Sequence, residues 1–351
     1  MKYKGLKIGN IETKIPLILG GMGIGVSGWN LASSITNNGG IGVLSGVNLG
    51  YREDDFYTNT FEANKRAIIK EIKKAKEESN MGVIGINFMV AMNRYKEYVK
   101  IAVEAGIDII VSGAGLPLEL PEATKDYDTK LIPIVSSAKA ARIITKIWDK
   151  KYNKIPDAVV VEGSKAGGHL GFKKKDLIED DFDFEEVLRD TKEVLKKYED
   201  KYNKKIPMIA AGGIYSSQDV EKIMKIGYDG VQMATRFVTT EECDADFNFK
   251  NEYLKSENKD IDIIDSPVGL PGRAITNEFL NNVEEGIKPK IKKCVDCIKK
   301  CNYKDTKFCI SQALINSVKG NIDEGLVFAG ENAYKSKKIE KVADVVKELF
   351  Y

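Results

Sequence analysis

The only histidine of the chain lies in the stretch EGSKAGGHLGF, residues 162–172. Imidazole is the side chain whose ordinary pKa allows proton exchange near neutrality. His169 follows the apolar run PDAVVVEG and is flanked by Gly167, Gly168 and Gly171, whereas a core histidine would lie within a periodic apolar segment. The pattern predicts a catalytic histidine on a loop after a strand; an exposed histidine with no role is the alternative.

Two further strand ends carry residues suited to binding phosphate. Gly212 and Gly213 end the run IPMIAAGG, and Ala234 and Thr235 lie near the end of GVQMATR. Small residues let backbone N–H groups approach an anion without interference from a Cβ atom. The pattern predicts a phosphate site, although tight turns between strands and helices would use the same glycines.

The elements that must position these residues alternate regularly. Short apolar runs of the kind found in buried parallel strands are separated by amphipathic segments with helical periodicity. These segments are 64–78, 95–106, 138–152 and 217–227. Eight such runs occur, at 15–21, 41–46, 82–90, 107–113, 130–137, 157–163, 206–213 and 230–236.

Eight alternating strands and helices predict an α/β fold, a (β/α)8 TIM barrel over residues 1–240. The alternative, a doubly wound sheet, is disfavoured because GGMGIG at 20–25 lacks the G-x-G-x-x-G spacing of its phosphate turn. Residues 241–351 are predicted to form a partly helical carboxyl-terminal extension packed on the barrel, irregular over 241–292 and helical near KVADVVKELFY.

Composition excludes several classes of protein. The 351 residues include 54 basic and 52 acidic side chains, for a net charge of +2, and the lysines are spread along the chain. This balance argues against nucleic acid as a partner. No uncharged run is long enough to span a membrane, and no apolar signal segment follows the first residues. A cytoplasmic protein is predicted, and a homodimer is compatible with the sequence.

Six ordered motifs together resemble the nitronate monooxygenase family, formerly called 2-nitropropane dioxygenases, which includes the flavin-type enoyl-ACP reductases. The resemblance covers residues 5–240 and resumes more weakly at GLVFAGENAYK, residues 325–335. The motifs that carry it are PLILGGMGIGVSG, GINFMVAMN, VSGAGLP, EGSKAGGHLGF, IPMIAAGGI and VQMATRF.

The resemblance implies FMN bound across the barrel mouth, with His169 as the catalytic residue. Lys165 stands where many members of the family have an acid, which alters the charge beside the flavin. The residues that the resemblance assigns to the cofactor are Gly20, Gly21, Met22, Asn87, Glu162, Gly167, Gly168, Gly212, Gly213, Ala234 and Thr235.

The resemblance also implies a small-molecule substrate and several reactions. The first is oxidation of alkyl nitronates with dioxygen to carbonyl compounds and nitrite, in which His169 holds the nitro oxygens or removes the α-proton of a nitroalkane. The others are NAD(P)H-dependent reduction of an enoyl thioester or of a quinone. A non-catalytic flavin- or phosphate-binding protein is the contrasting class.

Four cysteines are concentrated in CVDCIKKCNYKDTKFC: Cys294, Cys297, Cys301 and Cys309. Their spacing matches neither the bacterial ferredoxin run nor the paired motif of a zinc ribbon. The sequence leaves three interpretations open: a zinc or iron–sulfur site, redox-active thiols, or reduced structural cysteines. Cys243 stands alone among acidic residues.

Overall fold

The fold was analysed in a computed structural model that describes residues 2–179, 182–302 and 304–351. Among these residues, no helix is long and apolar enough to cross a membrane. The strands are β1 (Lys7–Ile8), β2 (Ile11–Glu12), β3 (Leu17–Leu19), β4 (Gly42–Ser45), β5 (Ile84–Met89), β6 (Ile109–Gly113), β7 (Lys130–Val135), β8 (Val159–Glu162), β9 (Gly168–His169), β10 (Met208–Ala211), β11 (Gly230–Met233), β12 (Ile261–Asp265), β13 (Pro271–Ile275) and β14 (Val327–Phe328).

The helices alternate with the strands of the first two thirds of the chain and continue to its end. They are α1 (Trp29–Asn37), α2 (Thr60–Glu78), α3 (Tyr95–Glu104), α4 (Leu120–Ala123), α5 (Ala138–Tyr152), α6 (Lys174–Glu179), α7 (Phe184–Tyr202), α8 (Ser217–Ile226), α9 (Thr235–Val238), α10 (Phe247–Lys255), α11 (Glu278–Glu284), α12 (Ile310–Val318) and α13 (Val342–Phe350).

Eight parallel strands form the barrel, and each coincides with one of the eight apolar runs. Their order is β3-β11-β10-β8-β7-β6-β5-β4. A parallel bridge between Ile18 and Ile41 brings the two ends of this order together. The predicted (β/α)8 barrel is therefore confirmed. The strands are almost entirely buried because helices cover the outside and side chains fill the inside.

The four amphipathic segments identified from helical periodicity correspond to helices α2, α3, α5 and α8. Turn chemistry explains the ends of α8. Ser216 and Asp219 form a capping box at its start, and Gly227 closes it with a φ of +105°.

The prediction that residues 241–292 are irregular is wrong in part. This stretch contains α10, α11 and the antiparallel hairpin β12–β13, in which Ile263 lies opposite Arg273. Strand β13 also pairs with β9 of the barrel part, so that Gly272 lies opposite His169. Such a pairing between distant segments leaves little local signal in the sequence.

Charged side chains attach the residues after 240 to the barrel. Asp244 accepts hydrogen bonds from the N–H groups of Gly28 (2.8 Å) and Leu31 (3.1 Å) at the start of α1. Buried Arg236 forms ion pairs with Glu340 (2.8 Å) and Glu348 (2.9 Å). The first contact satisfies N–H groups at a helix start and the second pairs a buried charge, so both hold the extension against the barrel.

Candidate active site

One large cavity opens at the carboxyl ends of the barrel strands, where active sites of this fold lie. The structure brings all twelve predicted site residues to its wall: Gly20, Gly21, Met22, Asn87, Glu162, Gly167, Gly168, His169, Gly212, Gly213, Ala234 and Thr235. They come from five different strand ends, so the barrel closure, and not sequence proximity, assembles them.

Glycines make room at this wall because neighbouring strand ends approach closely. A Cβ atom on Gly21 would lie 2.4 Å from the Cβ of Asn87, and one on Gly20 would lie 2.8 Å from that of Ala234. Gly212 and Gly213 have φ values of +92° and +76°, which favour glycine. Their backbone therefore lines the cavity directly.

Glu162 and Gln232 form the polar part of the cavity floor. Both lie level with Ala211 of β10, on its two neighbouring strands. The Oε1 atom of Gln232 is buried and has no hydrogen-bond partner among the described residues. Burial raises the pKa of Glu162 to about 7, so this carboxyl group is partly protonated at neutral pH. Gln232 was not among the residues predicted for the site.

His169 is half-buried on the cavity wall and is held by the extension. Its Nε2 atom lies 2.7 Å from Oγ of Ser266. Its ring meets that of Phe328 edge to face, with centroids 4.9 Å apart. Burial lowers the pKa of His169 to about 4. The imidazole is therefore neutral at physiological pH.

A buried arginine holds the glycine loop that carries this histidine. Nη1 of Arg273 donates hydrogen bonds to the carbonyl oxygens of Ser164 (2.6 Å) and Ala166 (2.9 Å). The pairing of Arg273 with Gly168 continues the same contact. Sequence reasoning missed Arg273 because it lies more than 100 residues from the loop that it supports.

The loop 328–332 joins three other parts of the wall. Asn332 donates to the carbonyl oxygen of Gly213 (2.7 Å), and the N–H of Gly330 donates to Oγ1 of Thr235 (3.0 Å). Nζ of Lys165 lies 3.2 Å from Oε1 of Glu331. Glu331 of the extension therefore places a carboxylate next to Lys165.

Apolar residues of the extension cover the cavity. They reduce access of water to the polar floor. The residues that form this cover are Phe249, Tyr253, Cys297, Ile298, Ile310, Leu314 and Phe328.

The chain is similar to proteins of known family. The family model described as nitronate monooxygenase matches residues 4–351. A "Probable nitronate monooxygenase" of Staphylococcus saprophyticus is 26% identical over 310 residues, which cover 81% of this chain and 82% of the relative. A relative from Rhodococcus jostii, named (3aS,4S,5R,7aS)-5-hydroxy-7a-methyl-1-oxo-octahydro-1H-indene-4-carboxyl-CoA dehydrogenase, is 24% identical over 77% of this chain and 65% of its own length.

Solved structures confirm the fold. FabK from Thermotoga maritima superposes with a TM-score of 0.72 at 21% identity, covering 96% of this chain and 92% of that one. A nitroalkane oxidase from Streptomyces ansochromogenes superposes with a TM-score of 0.70 at 17% identity, covering 96% and 95%. The similarity extends over the barrel and the extension alike.

Proposed function

This chain belongs to the nitronate monooxygenase family and is a flavin-dependent oxidoreductase, and from that premise we propose that it uses FMN to oxidise alkyl nitronates with dioxygen to carbonyl compounds and nitrite. The observation that carries the proposal is the neutral, half-buried His169, which faces a glycine-lined cavity and is fixed by Ser266.

Two features of the cavity fit FMN. The positive φ values of Gly212 and Gly213 expose backbone to a phosphate, and Ala234 and Thr235 lie beside them on the cavity wall. The buried Oε1 of Gln232 has no partner within the described part of the chain and requires a hydrogen-bond donor, which the N–H group of a flavin ring can supply. The remaining residues of the proposed cofactor site would be Gly20, Gly21, Met22, Asn87, Glu162, Gly167 and Gly168.

When bound, FMN supplies the electron transfer; the protein supplies binding and orientation. A neutral imidazole has one donor and one acceptor nitrogen. Because Nε2 of His169 is engaged with Ser266, Nδ1 is the nitrogen available to a substrate. As a donor it would hold a nitronate oxygen, and as an acceptor it would remove the α-proton of a neutral nitroalkane.

Anaerobic stopped-flow mixing tests the proposed reaction. The purified flavoprotein is mixed separately with propionate 3-nitronate, NADH and NADPH while the visible absorbance of the oxidised flavin is followed. We expect nitronate alone to bleach the flavin rapidly. Rapid bleaching by a nicotinamide alone, without any response to nitronate, would refute the nitronate proposal.

Replacing the histidine tests its role separately. We expect His169→Ala to slow flavin reduction by the nitroalkane much more than reduction by the preformed nitronate, because only the nitroalkane must lose a proton. Ser266→Ala is the matched control, since it removes the partner of the ring and leaves the imidazole in place. Equal and full rates for both substrates in His169→Ala would remove the proposed role.

The second candidate is NAD(P)H-dependent reduction of an enoyl thioester. The Rhodococcus relative, whose name gives a CoA thioester as its substrate, supports it. An enoyl-CoA that reoxidises the NADPH-reduced flavin would identify this reaction. If neither nitronates nor enoyl thioesters react, quinones are the next acceptors to test. The predicted cytoplasmic location and homodimer remain predictions.

A further inference from the structure

A chain of buried side-chain hydrogen bonds connects the barrel to the first turn of α12. The N–H of Gly50 donates to Oδ1 of Asn64 (2.9 Å), and Nδ2 of Asn64 donates to Oδ1 of Asn48 (3.4 Å). Nδ2 of Asn48 then donates to Oγ of Ser311 (2.8 Å). The three side chains belong to residues that are at most 3% exposed. We call Asn64, Asn48 and Ser311 the asparagine–serine network.

The backbone N–H at one end fixes the direction of each hydrogen bond in this network. Because a backbone N–H can only donate, the atom of Asn64 that faces Gly50 is the amide oxygen, and its amide nitrogen faces Asn48. The same reasoning orients Asn48, since the opposite orientation would place two NH2 groups against each other. Asn48 therefore donates to Ser311, and the hydroxyl hydrogen of Ser311 must be donated to another group.

Ser311 is the member of the network that lines the active-site cavity, whereas Asn48 and Asn64 lie behind the cavity wall. Because its oxygen accepts from Asn48, the hydroxyl group directs its own hydrogen away from the network. No nitrogen or oxygen atom in the described part of the chain accepts this hydrogen. The neighbouring polar group is the thiol of Cys297, which also lines the cavity.

The surroundings of the Ser311 hydroxyl favour a bound ligand as its acceptor. Burial raises the pKa of Cys297 to about 11, so this thiol is protonated near neutrality, and a neutral sulfur is a weak acceptor. The other residues of this part of the wall are apolar: Ile298, Ile310 and Leu314. In such surroundings a polar hydrogen without a good acceptor is costly, and a hydrogen bond to a ligand oxygen is strengthened.

An anionic oxygen is the best partner for this donor, because hydrogen bonds to charged acceptors are the stronger ones. Under the proposed function, on which this inference rests, the substrate is a nitronate whose negative charge lies on two oxygen atoms. Ser311 belongs to the extension, which covers the cavity, whereas the backbone of the barrel strand ends is the part that suits the cofactor. We propose that the Ser311 hydroxyl binds an oxygen of the anionic substrate, and that Asn48 and Asn64 are the positioning residues that orient it.

Titration with succinate tests this contact without turnover. Succinate resembles propionate 3-nitronate but has a carboxylate in place of the nitronate group. The flavoprotein is titrated with succinate while the visible absorbance of the oxidised flavin is followed. We expect Ser311→Ala to raise the dissociation constant of succinate about tenfold, because a hydrogen bond to a charged oxygen is lost. KM for propionate 3-nitronate should rise similarly with kcat nearly unchanged, since the bond is made in the ground state and in the transition state alike.

Two further variants separate the contact from a structural role. Ser317→Ala is the matched control, because Ser317 is also buried on α12 but donates to the carbonyl oxygen of Leu314 (3.0 Å). Asn48→Asp tests the direction of the network. An ionised carboxylate can only accept, so the Ser311 hydrogen would turn toward it, and succinate affinity should fall about tenfold although the hydroxyl remains. Flavin content and circular dichroism report whether each variant is folded.

Equal succinate affinity in Ser311→Ala and Ser317→Ala, or no binding of succinate by the unmodified chain, would overturn the inference. Weaker flavin binding with unchanged succinate affinity in Ser311→Ala would also overturn it, because the hydroxyl would then contact the cofactor. Should Ser311→Ala not fold, Ser311→Cys decides, since it replaces the hydroxyl with a weak donor of similar size. The proposed function fails separately, if nitronate does not bleach the flavin of the unmodified chain while succinate affinity still depends on Ser311.

Discussion

Arg273→Met tests whether the extension positions His169, the proposed catalytic residue. Arg273 is 6% exposed, and its Nη1 atom donates two hydrogen bonds, to the carbonyl oxygens of Ser164 and Ala166. A hydrogen bond from a charged donor contributes about 1.5–3 kcal/mol to stability, and a buried acceptor that loses its donor adds a penalty. Because the loop can relax, we expect the free energy of unfolding to fall by about 3 kcal/mol, at the lower end of the sum.

The same substitution should weaken flavin binding. The loop that Arg273 holds carries Gly167, Gly168 and His169, all on the cavity wall. If displacement of this loop costs about 1.4 kcal/mol of binding free energy, the affinity for flavin falls tenfold. Urea denaturation of the flavin-free chain measures the stability, and titration of flavin fluorescence measures the affinity.

Arg189→Met is the matched control for this experiment. Its side chain is 70% exposed and pairs only with neighbouring Asp190 among the described residues, so an effect near zero is expected. If Arg273→Met had the stability and the flavin affinity of Arg189→Met, the inference that the extension positions the histidine loop would be refuted.

Four other predictions follow from the site. Ser266→Ala should lower kcat/KM about fivefold, because loss of one hydrogen bond costs about 1 kcal/mol. Its flavin affinity, measured by fluorescence titration, should be unchanged. Gly213→Ala should weaken flavin binding about tenfold, because its φ of +76° disfavours a side chain and the new Cβ would lie 2.9 Å from that of Lys165. The control is Gly286→Ala, at a residue with a φ of +85° and open space around it, which should leave flavin binding unchanged. Burial raises the pKa of Glu162 to about 7, so the folded flavin-free chain keeps a proton that the unfolded chain releases near pH ~4. The free energy of unfolding should therefore fall as the pH rises from about 4 to about 7. A Glu162→Gln variant whose stability, measured by urea denaturation, showed the same dependence on pH would contradict this. The single histidine gives one assignable imidazole resonance, which should titrate at about 4 because burial lowers the pKa of His169; a midpoint near ~6.5 would show an exposed ring.

Features with a local physical cause were predictable from the sequence. The eight strands follow from apolar runs, and α2, α3, α5 and α8 follow from helical periodicity. The turn at Gly212 and Gly213 follows from the conformational requirement of a tight turn. Barrel closure then brings the strand ends together, which is why the predicted site residues share one cavity.

Features that depend on distant pairing were not predictable. Ser266 is 97 residues from His169, and nothing near either residue indicates their contact. Strand β13 is short and contains glycine and proline, so it has the composition of a loop, and only its pairing with β9 and β12 makes it a strand. The lowered pKa of His169 is likewise a result of burial by other segments.

The two parts of the cavity wall differ in chemistry, and this difference bears on specificity. The barrel contributes mostly backbone and small residues, such as Gly20, Gly212 and Ala234, which suit a cofactor of fixed shape. The extension contributes larger side chains such as Phe249 and Phe328, together with Ser266, the partner of His169. On the proposed function, the first wall would hold the cofactor and the second would meet the substrate, so we expect replacements of residues after 240 to shift the preference between nitronate and thioester more than replacements of the barrel glycines.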